Sequence, residues 1–458
     1  MVFRRNIRTL ALLAVCATCA IRPHRAQANG AFPAVSQLVG DPSDESHLVL
    51  RSNFGLLVSH DRGQIWDLIC EAGVGYQNIE PPIAVLSDGT TIAALSNGIA
   101  RGASECAFAL ATGVSAYVAD VARMPGAPAQ AVAVSVDIEG GVSQVWHSSD
   151  SGRSWERWGS ALSELNAATL DVAGDEPGTL YVSGVSQAST VTGVLARSTD
   201  GGRTWTRSEV PGASKVSAPY IAAIAADDPN TLYVRLSGSP GHLLVTHDGG
   251  SHWAGVLDFE GPLDGFALSP DGEFALASGR GDGVWRARTS DLAFAQLSCA
   301  KLRCLSWTRA GLFACADEFQ AGFLVGESAD SGQTFEPRLH MSCVRGPVAC
   351  GGESSVAKAC DAVWPALSET LGRDCASAVF TPSDSCASGG ASGADAGLGG
   401  RAGMGGNEQP APPASGGCSF SALPITRRTW LLSLGVLVCA IGRRRAGKRS
   451  KSGLFRPA

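Results

Sequence analysis

Five copies of one octapeptide constrain this chain more than any other feature of its sequence. The pattern Ser/Thr-x-Asp-x-Gly-x-x-Trp/Phe occurs at residues 59–66 (SHDRGQIW), 148–155 (SSDSGRSW), 198–205 (STDGGRTW), 246–253 (THDGGSHW) and 328–335 (SADSGQTF). Successive starts lie 89, 50, 48 and 82 residues apart, so the first and last gaps each have room for one more copy. Worn copies fit there. Gly283, Trp285 and Phe294 keep the Gly-to-aromatic spacing of Gly55 to Trp66 with the polar turn lost, and Gly98 to Phe108 keeps it with one residue deleted. Seven units then begin near residues 59, 102, 148, 198, 246, 287 and 328, and such a period marks a repeat architecture.

Within a unit the strands can be read from apolar runs and turn residues. Residues 220–225, 231–236, 242–246 and 253–257 form four such runs, with Asp227, Asp228, Pro229 and Asn230 as the turn after the first. Residues 179–182 (TLYV) stand in the preceding unit where 231–234 (TLYV) stand in this one. Four short strands per unit of about 45 residues is the form of a propeller blade, and closing the ring buries faces that one sheet leaves exposed. The 56 glycines suit many turns between short strands. The expectation is an all-β, seven-bladed propeller of four-stranded blades over residues 32–340.

The octapeptide has a structural logic that needs no ligand. A short carboxylate accepts backbone N–H groups in a turn, glycine supplies backbone freedom, and the closing aromatic buries a large apolar surface. Asp61, Asp150, Asp200, Asp248 and Asp330 are expected to hold turns, and Trp66, Trp155, Trp205, Trp253 and Phe335 to close them. One carboxylate per turn is too few for the six to eight oxygens calcium takes. These repeats resemble the Asp-box (BNR) propellers, which include sialidases, sortilin-type receptors, some glucanases and photosystem assembly factors. The resemblance covers roughly residues 32–340 and implies the fold, while the family's functions are diverse. Seven units suit its seven-bladed members better than the six-bladed sialidases or ten-bladed sortilins.

A sialidase-like site, by that resemblance, needs three convergent arginines, a Tyr–Glu nucleophile pair and an acid Asp. The Arg-Ile-Pro element of that family is absent, and the innermost strands and their entries offer one Arg, Arg303, against Glu80, Tyr117, Asp171, Tyr220 and Asp264. An acidic, Arg-poor mouth does not suit an anionic sugar. A neutral-glycan hydrolase needs two carboxyls about 5 to 9.5 Å apart, and Glu80, Asp171 and Asp264 are the candidates. No Gly-rich phosphate loop or nucleophile elbow appears. No CxxC pair or His spacing suits zinc, so neither metal nor cofactor is expected. The preferred reading is a non-catalytic binding or scaffolding module whose partner is a protein or glycan at the cell envelope; a glycoside hydrolase is the alternative.

The two ends set the address. Arg4, Arg5 and Arg8 precede an apolar run at residues 10–21, and Ala26-Gln27-Ala28 offers a small-x-small cleavage site, so residues 1–28 read as a signal peptide. Residues 387–417 are rich in Gly, Ala, Ser and Pro and read as a flexible stalk. Cys418 follows two glycines, and beyond it come a short apolar helix at 429–442 and the basic cluster Arg443, Arg444, Arg445, Lys448, Arg449 and Lys451. That order over 418–458 resembles the MYXO-CTERM class of bacterial sorting tails. The resemblance implies a sorting protease acting near Cys418, attachment there, and membrane contact through the tail; a single-pass anchor that stays in place is the alternative.

Of the 36 Lys and Arg, 14 lie in the first 28 or last 40 residues, where there is no Asp or Glu. The rest holds 22 basic against 42 acidic side chains, a balance that repels phosphate backbones and makes nucleic acid an unsuited partner. Of the 14 Cys, Cys16 and Cys19 leave with the signal and Cys439 lies in the terminal apolar run, as Cys418 lies at the attachment point. The ten others, Cys70, Cys106, Cys299, Cys304, Cys315, Cys343, Cys350, Cys360, Cys375 and Cys386, are disulfide candidates in an oxidising compartment. Cys70 and Cys106, isolated in the first two blades, are candidates to pair with each other. Residues 341–386 read as a Cys-rich appendage with a helical apolar stripe (Val356, Cys360, Val363, Trp364, Leu367, Leu371) interrupted or restarted at Pro365, expected to seal the last blade against the stalk.

Overall fold

The computed structural model describes residues 33–375 apart from 78, 175–177, 189 and 373. The chain divides into units of 1–389 and 390–458, and the second lies outside the described residues. The signal peptide 1–28, the stalk 387–417, the tail with its 429–442 segment, Cys386 and Cys418 lie outside them too.

Seven antiparallel sheets follow one another along the chain, each of four strands taken in order, with one extra short strand on the third. Their first strands are Val35–Gly40, Ile83–Val85, Val118–Arg123, Leu165–Val172, Pro219–Ile224, Leu263–Leu268 and Leu302–Trp307, which begin blades 1 to 7. Each of the seven sequence units falls at the turn between third and fourth strands of one blade. Second strands such as Thr91–Leu95 and Ala131–Asp137 are buried almost throughout, because both faces meet a neighbouring blade. Fourth strands such as Thr206–Glu209 are largely exposed and carry polar side chains.

The five octapeptide turns share one hydrogen-bond pattern. In each, the Ser or Thr hydroxyl donates to the Asp at 2.8–2.9 Å and accepts the Gly N–H at 2.8–2.9 Å. The Asp in turn accepts the N–H four residues on, at 2.9 Å in every copy. The glycine is required twice over. It adopts a positive φ, 74° at Gly152 and 95° at Gly332. It also stands against the preceding blade, where an added Cβ would meet Ile92 Cγ2 at 2.9 Å from Gly152 and Leu276 Cδ2 at 2.6 Å from Gly332. Arginines from preceding third strands reach the same turns: Arg101 donates to Ser151 O at 2.6 Å and Arg286 to Ser331 O at 3.3 Å. The turn therefore joins blades as well as strands.

The ring closes without exchanging a strand, since blade 1 is built wholly from the start of the ring and blade 7 from its end. A core shared by Leu48, Trp66, Phe313 and Leu324 joins the two. The segment after blade 7 packs on that blade and then crosses to blades 1 and 2, while the stalk against which it was expected to seal the ring lies outside the described residues. Leu68 N donates to Gly346 O at 2.7 Å and Val348 N to Leu68 O at 3.0 Å, which adds a parallel edge to blade 1. Arg345 forks onto Asp67, donating from Nε at 2.7 Å.

Cysteine pairing departs from expectation for the same reason. Cys70 bonds Cys360 and Cys106 bonds Cys350, so the two isolated cysteines each tie to the appendage instead of to each other. Cys304–Cys315 and Cys343–Cys375 are local bridges, and Cys299 is disulfide-bonded as well. The appendage helix runs unbroken over Ser355–Leu371 with Pro365 inside it, capped by Ser354, whose hydroxyl accepts Val356 N–H at 3.1 Å. Val356, Cys360 and Leu371 are buried, whereas Val363 turns outward. Among the described residues no helix is long and apolar enough to cross a membrane.

Candidate functional site

The innermost strands converge on a central channel with a cavity of about 630 Å³. Six of the seven first strands carry a one-residue β-bulge, with Ser36, Ala119, Ala168, Ala222, Asp264 and Arg303 as the extra residues. A bulge re-aims the side chains beside it. In three blades the residue after it bonds the neighbouring blade. Gln37 exchanges two bonds with the Ile83 backbone at 3.0 and 3.1 Å, Asp120 accepts Leu170 N–H at 3.0 Å, and Thr169 accepts Ile221 N–H at 2.9 Å.

Glu80 and Asp264, two of the three candidate carboxylates, line this cavity, together with Tyr117 and Tyr220. Asp171 does not. It lines an adjoining cavity of about 240 Å³, which shares Val39 with the first, together with Arg123, and burial lifts its carboxyl to about 6 despite the Val172 amide and Arg123. Glu80 accepts a short hydrogen bond from the Ser36 hydroxyl, which in turn accepts from Arg51 Nε at 3.0 Å. Asp264 is gripped by Arg280 through two bonds of 2.7 and 3.3 Å.

Three lining residues had no place in the sequence reading. Arg51 and Arg235 come from second strands, so the channel is not Arg-poor; Arg303, the one Arg expected there, is not among its lining residues. Burial pulls the Arg51 guanidinium below its ordinary value, and Glu80 and Asp120 act against that. Arg235 lies 5.0 Å above the Tyr220 ring and donates to Leu263 O at 3.2 Å. Each is the one charge in an otherwise apolar run, LVLRS and LYVRL, and that break in pattern was the available signal. Asp120 is the third. Burial lifts its carboxyl to about 7, against the Leu170 and Val121 amides that it accepts at 3.0 and 2.9 Å.

Among the described residues, one group of side chains could hold a metal. His47, His60 and Glu105 bring their ligand atoms within 4.8 Å of one another on the rim between blades 1 and 2. They escaped notice in the sequence because they come from three separate turns. The cavity they line shares no residue with the channel.

No family model matches the chain, and no curated protein matches it by sequence. Solved structures do match in fold. An ancestral GH74 enzyme superposes with a TM-score of 0.50 at 15% identity over 68% of this chain and 47% of that one. RRP9 WD40 repeats superpose at 0.48 and 13% identity over 63% and 88%, and the GH74 xyloglucanase from Xanthomonas campestris at 0.44 and 17% over 61% and 50%. The chain thus spans about half the length of the GH74 structures it matches first. At 15% identity the likeness to the first of these is one of fold alone.

Proposed function

We propose that this chain is an exported, surface-held β-propeller that binds or scaffolds a protein or glycan at the cell envelope and has no catalytic centre of its own. The observation that carries this reading is the engagement of every channel carboxylate. Glu80 is held by Ser36, Asp120 by two backbone amides and Asp264 by an arginine fork. These contacts give each carboxylate a place in the ring's own hydrogen bonding, which a structural role accounts for. Export is supported by the disulfides, which persist in oxidising compartments. The repeated turns fit membership of the Asp-box (BNR) propellers, with the five aspartates structural. Attachment at Cys418 through a MYXO-CTERM-like tail completes the proposal. Mass spectrometry of the mature C-terminus tests that part, since an intact peptide spanning Arg443 on the surface protein would contradict processing.

A glycoside hydrolase is the second reading, and one observation favours it. Asp120, with its carboxyl lifted to about 7, shares the cavity with Glu80. A carboxyl of raised pKa with a second carboxyl in the same cavity is the kind of pair glycoside hydrolysis uses. The experiment that separates the readings is a panel of neutral and anionic glycosides against the purified protein. The binding reading expects retention of a glycan or envelope protein without turnover; hydrolysis abolished by Asp120→Asn or Glu80→Gln would replace it with the enzyme reading.

A further inference from the structure

The rim between blades 1 and 2 holds a second cavity, of about 570 Å³. Its origin lies in the deletion in blade 2. Where a blade has the aspartate turn, that turn packs onto the preceding blade; blade 2 has the short connection Ser104 to Ala107 instead, and space opens against blade 1. The space is chemically one-sided. Asp41, Asp44, Asp88 and Glu105 line it, and no Lys or Arg does. Such a pocket draws cations.

The two histidines are arranged for more than general attraction. His47 is buried, and its Nδ1 bonds Asp41 Oδ2 at 3.2 Å. Asp41 is itself fixed, since its other oxygen accepts Ser43 and Asp44 N–H groups at 2.7 and 3.2 Å. A carboxylate on Nδ1 sets the tautomer with Nε2 as the free acceptor, the arrangement behind metal-ligating histidines. The His60 ring stacks on His47 at 4.8 Å, and its Nε2 points at Glu105 Oε1 in a short contact. Ligands about 2.1 Å from zinc lie roughly 3.4 Å apart around a tetrahedron. The stacked rings aim their lone pairs side by side. A shared ion therefore requires the exposed His60 and the partly exposed Glu105 to rotate until the three ligand atoms, now within 4.8 Å of one another, close to that spacing.

We infer that His47, His60 and Glu105 form a binding site for a divalent transition-metal ion of the zinc class, with Asp41 orienting His47 and the fourth position facing the rim cavity. Two imidazoles with one carboxylate favour zinc, nickel or copper over calcium and magnesium, which take oxygen ligands. The site is on the blade 1–2 rim and does not rest on either reading of the channel.

The test uses the full chain, stripped with chelator and titrated with Zn²⁺ against a chromophoric competitor. One tight equivalent is expected. His60→Ala and Glu105→Gln should each weaken it at least about tenfold, and Asp41→Asn by about 10–100-fold, as loss of a second partner typically does. His252→Ala, which alters an exposed histidine in the blade 5 turn, should change nothing. Co²⁺ in place of Zn²⁺ should give the intense visible bands of four-coordinate geometry. His60 and Glu105 are exposed enough that metal-free melting should match wild type, which separates lost binding from lost folding. The inference is overturned if no saturable equivalent binds, if the His60→Ala/Glu105→Gln double variant binds Zn²⁺ as wild type does, or if Ca²⁺ competes on equal terms.

Discussion

Blades 1, 3, 4, 5 and 7 carry the aspartate turn, and blades 2 and 6 do the same structural task without it. In the five, a buried hydroxyl and a carboxylate satisfy the turn's backbone, and a glycine lets it press on the blade before. Blade 6 replaces this with a local helical turn. Leu292 N donates to Arg288 O at 2.8 Å, Leu292 takes a positive φ of 51°, and the Thr289 hydroxyl donates to Gly272 O at 2.6 Å. Blade 2 replaces it with chemistry from outside the ring: Cys106 is bonded to Cys350, and Ser354 donates to Cys106 O at 2.7 Å. A repeat can therefore lose its signature and keep its place, provided something else holds the third strand to the fourth.

Four experiments would break or sharpen that contrast. Replacing Cys106 and Cys350 by Ser should cost about 2–5 kcal/mol, read as a fall in the denaturation midpoint. An unchanged midpoint would mean the appendage holds blade 2 without the bond. Ser148→Ala should cost about 1–3 kcal/mol, because it leaves the buried Gly152 N–H without its acceptor.

Two carboxyls should bend the pH profile in opposite directions. Burial raises Asp150, but the Ser154 amide and hydroxyl and the Ser148 hydroxyl outweigh it and bring the carboxyl to about 2. Its contribution is present above the ordinary value near 4 and is lost as pH falls toward 2. Asp120, lifted to about 7, works the other way: its contribution is present below about 4 and is lost as pH rises to 7. Melting curves across that range should shift by on the order of 2 °C when Asp150→Asn or Asp120→Asn removes the group concerned. Smallest of all, Thr289→Ala in blade 6 should stay within about 0.5 kcal/mol, since the turn keeps its backbone bond and the freed carbonyl meets water. A cost matching that of Ser148→Ala would erase the distinction between the two kinds of turn.

The ring was legible because its signal repeats: a motif of fixed spacing, strands of alternating or continuous apolar character, and aromatic closures at regular intervals. Blade boundaries followed even for the worn copies, because Gly98 to Phe108 and Gly283 to Phe294 retain strand spacing after the turn chemistry has gone. Long-range placement was not legible. Nothing local in Cys70 or Cys106 indicates a partner 290 or 244 residues away. The channel's arginines come from second strands, one strand out from the innermost ones, and the rim histidines from turns that converge only once the ring closes. Asp171 lies three residues past the bulge of its inner strand and lines its cavity with Val39, Ile83 and Arg123 from blades 1 to 3.

The clasp from blade 7 to blades 1 and 2 also gives the molecule a load path. A pull on the chain beyond residue 375 enters at Cys375 and divides there between its bridge to Cys343 and the appendage helix. From there tension reaches blade 7 along the backbone and blades 1 and 2 through the bonds at Cys360 and Cys350. Three blades share it through covalent links, and the outermost strand of blade 7 is not peeled away alone. A ring tethered from that end would resist shear through its sulfur atoms before its hydrogen bonds were tested.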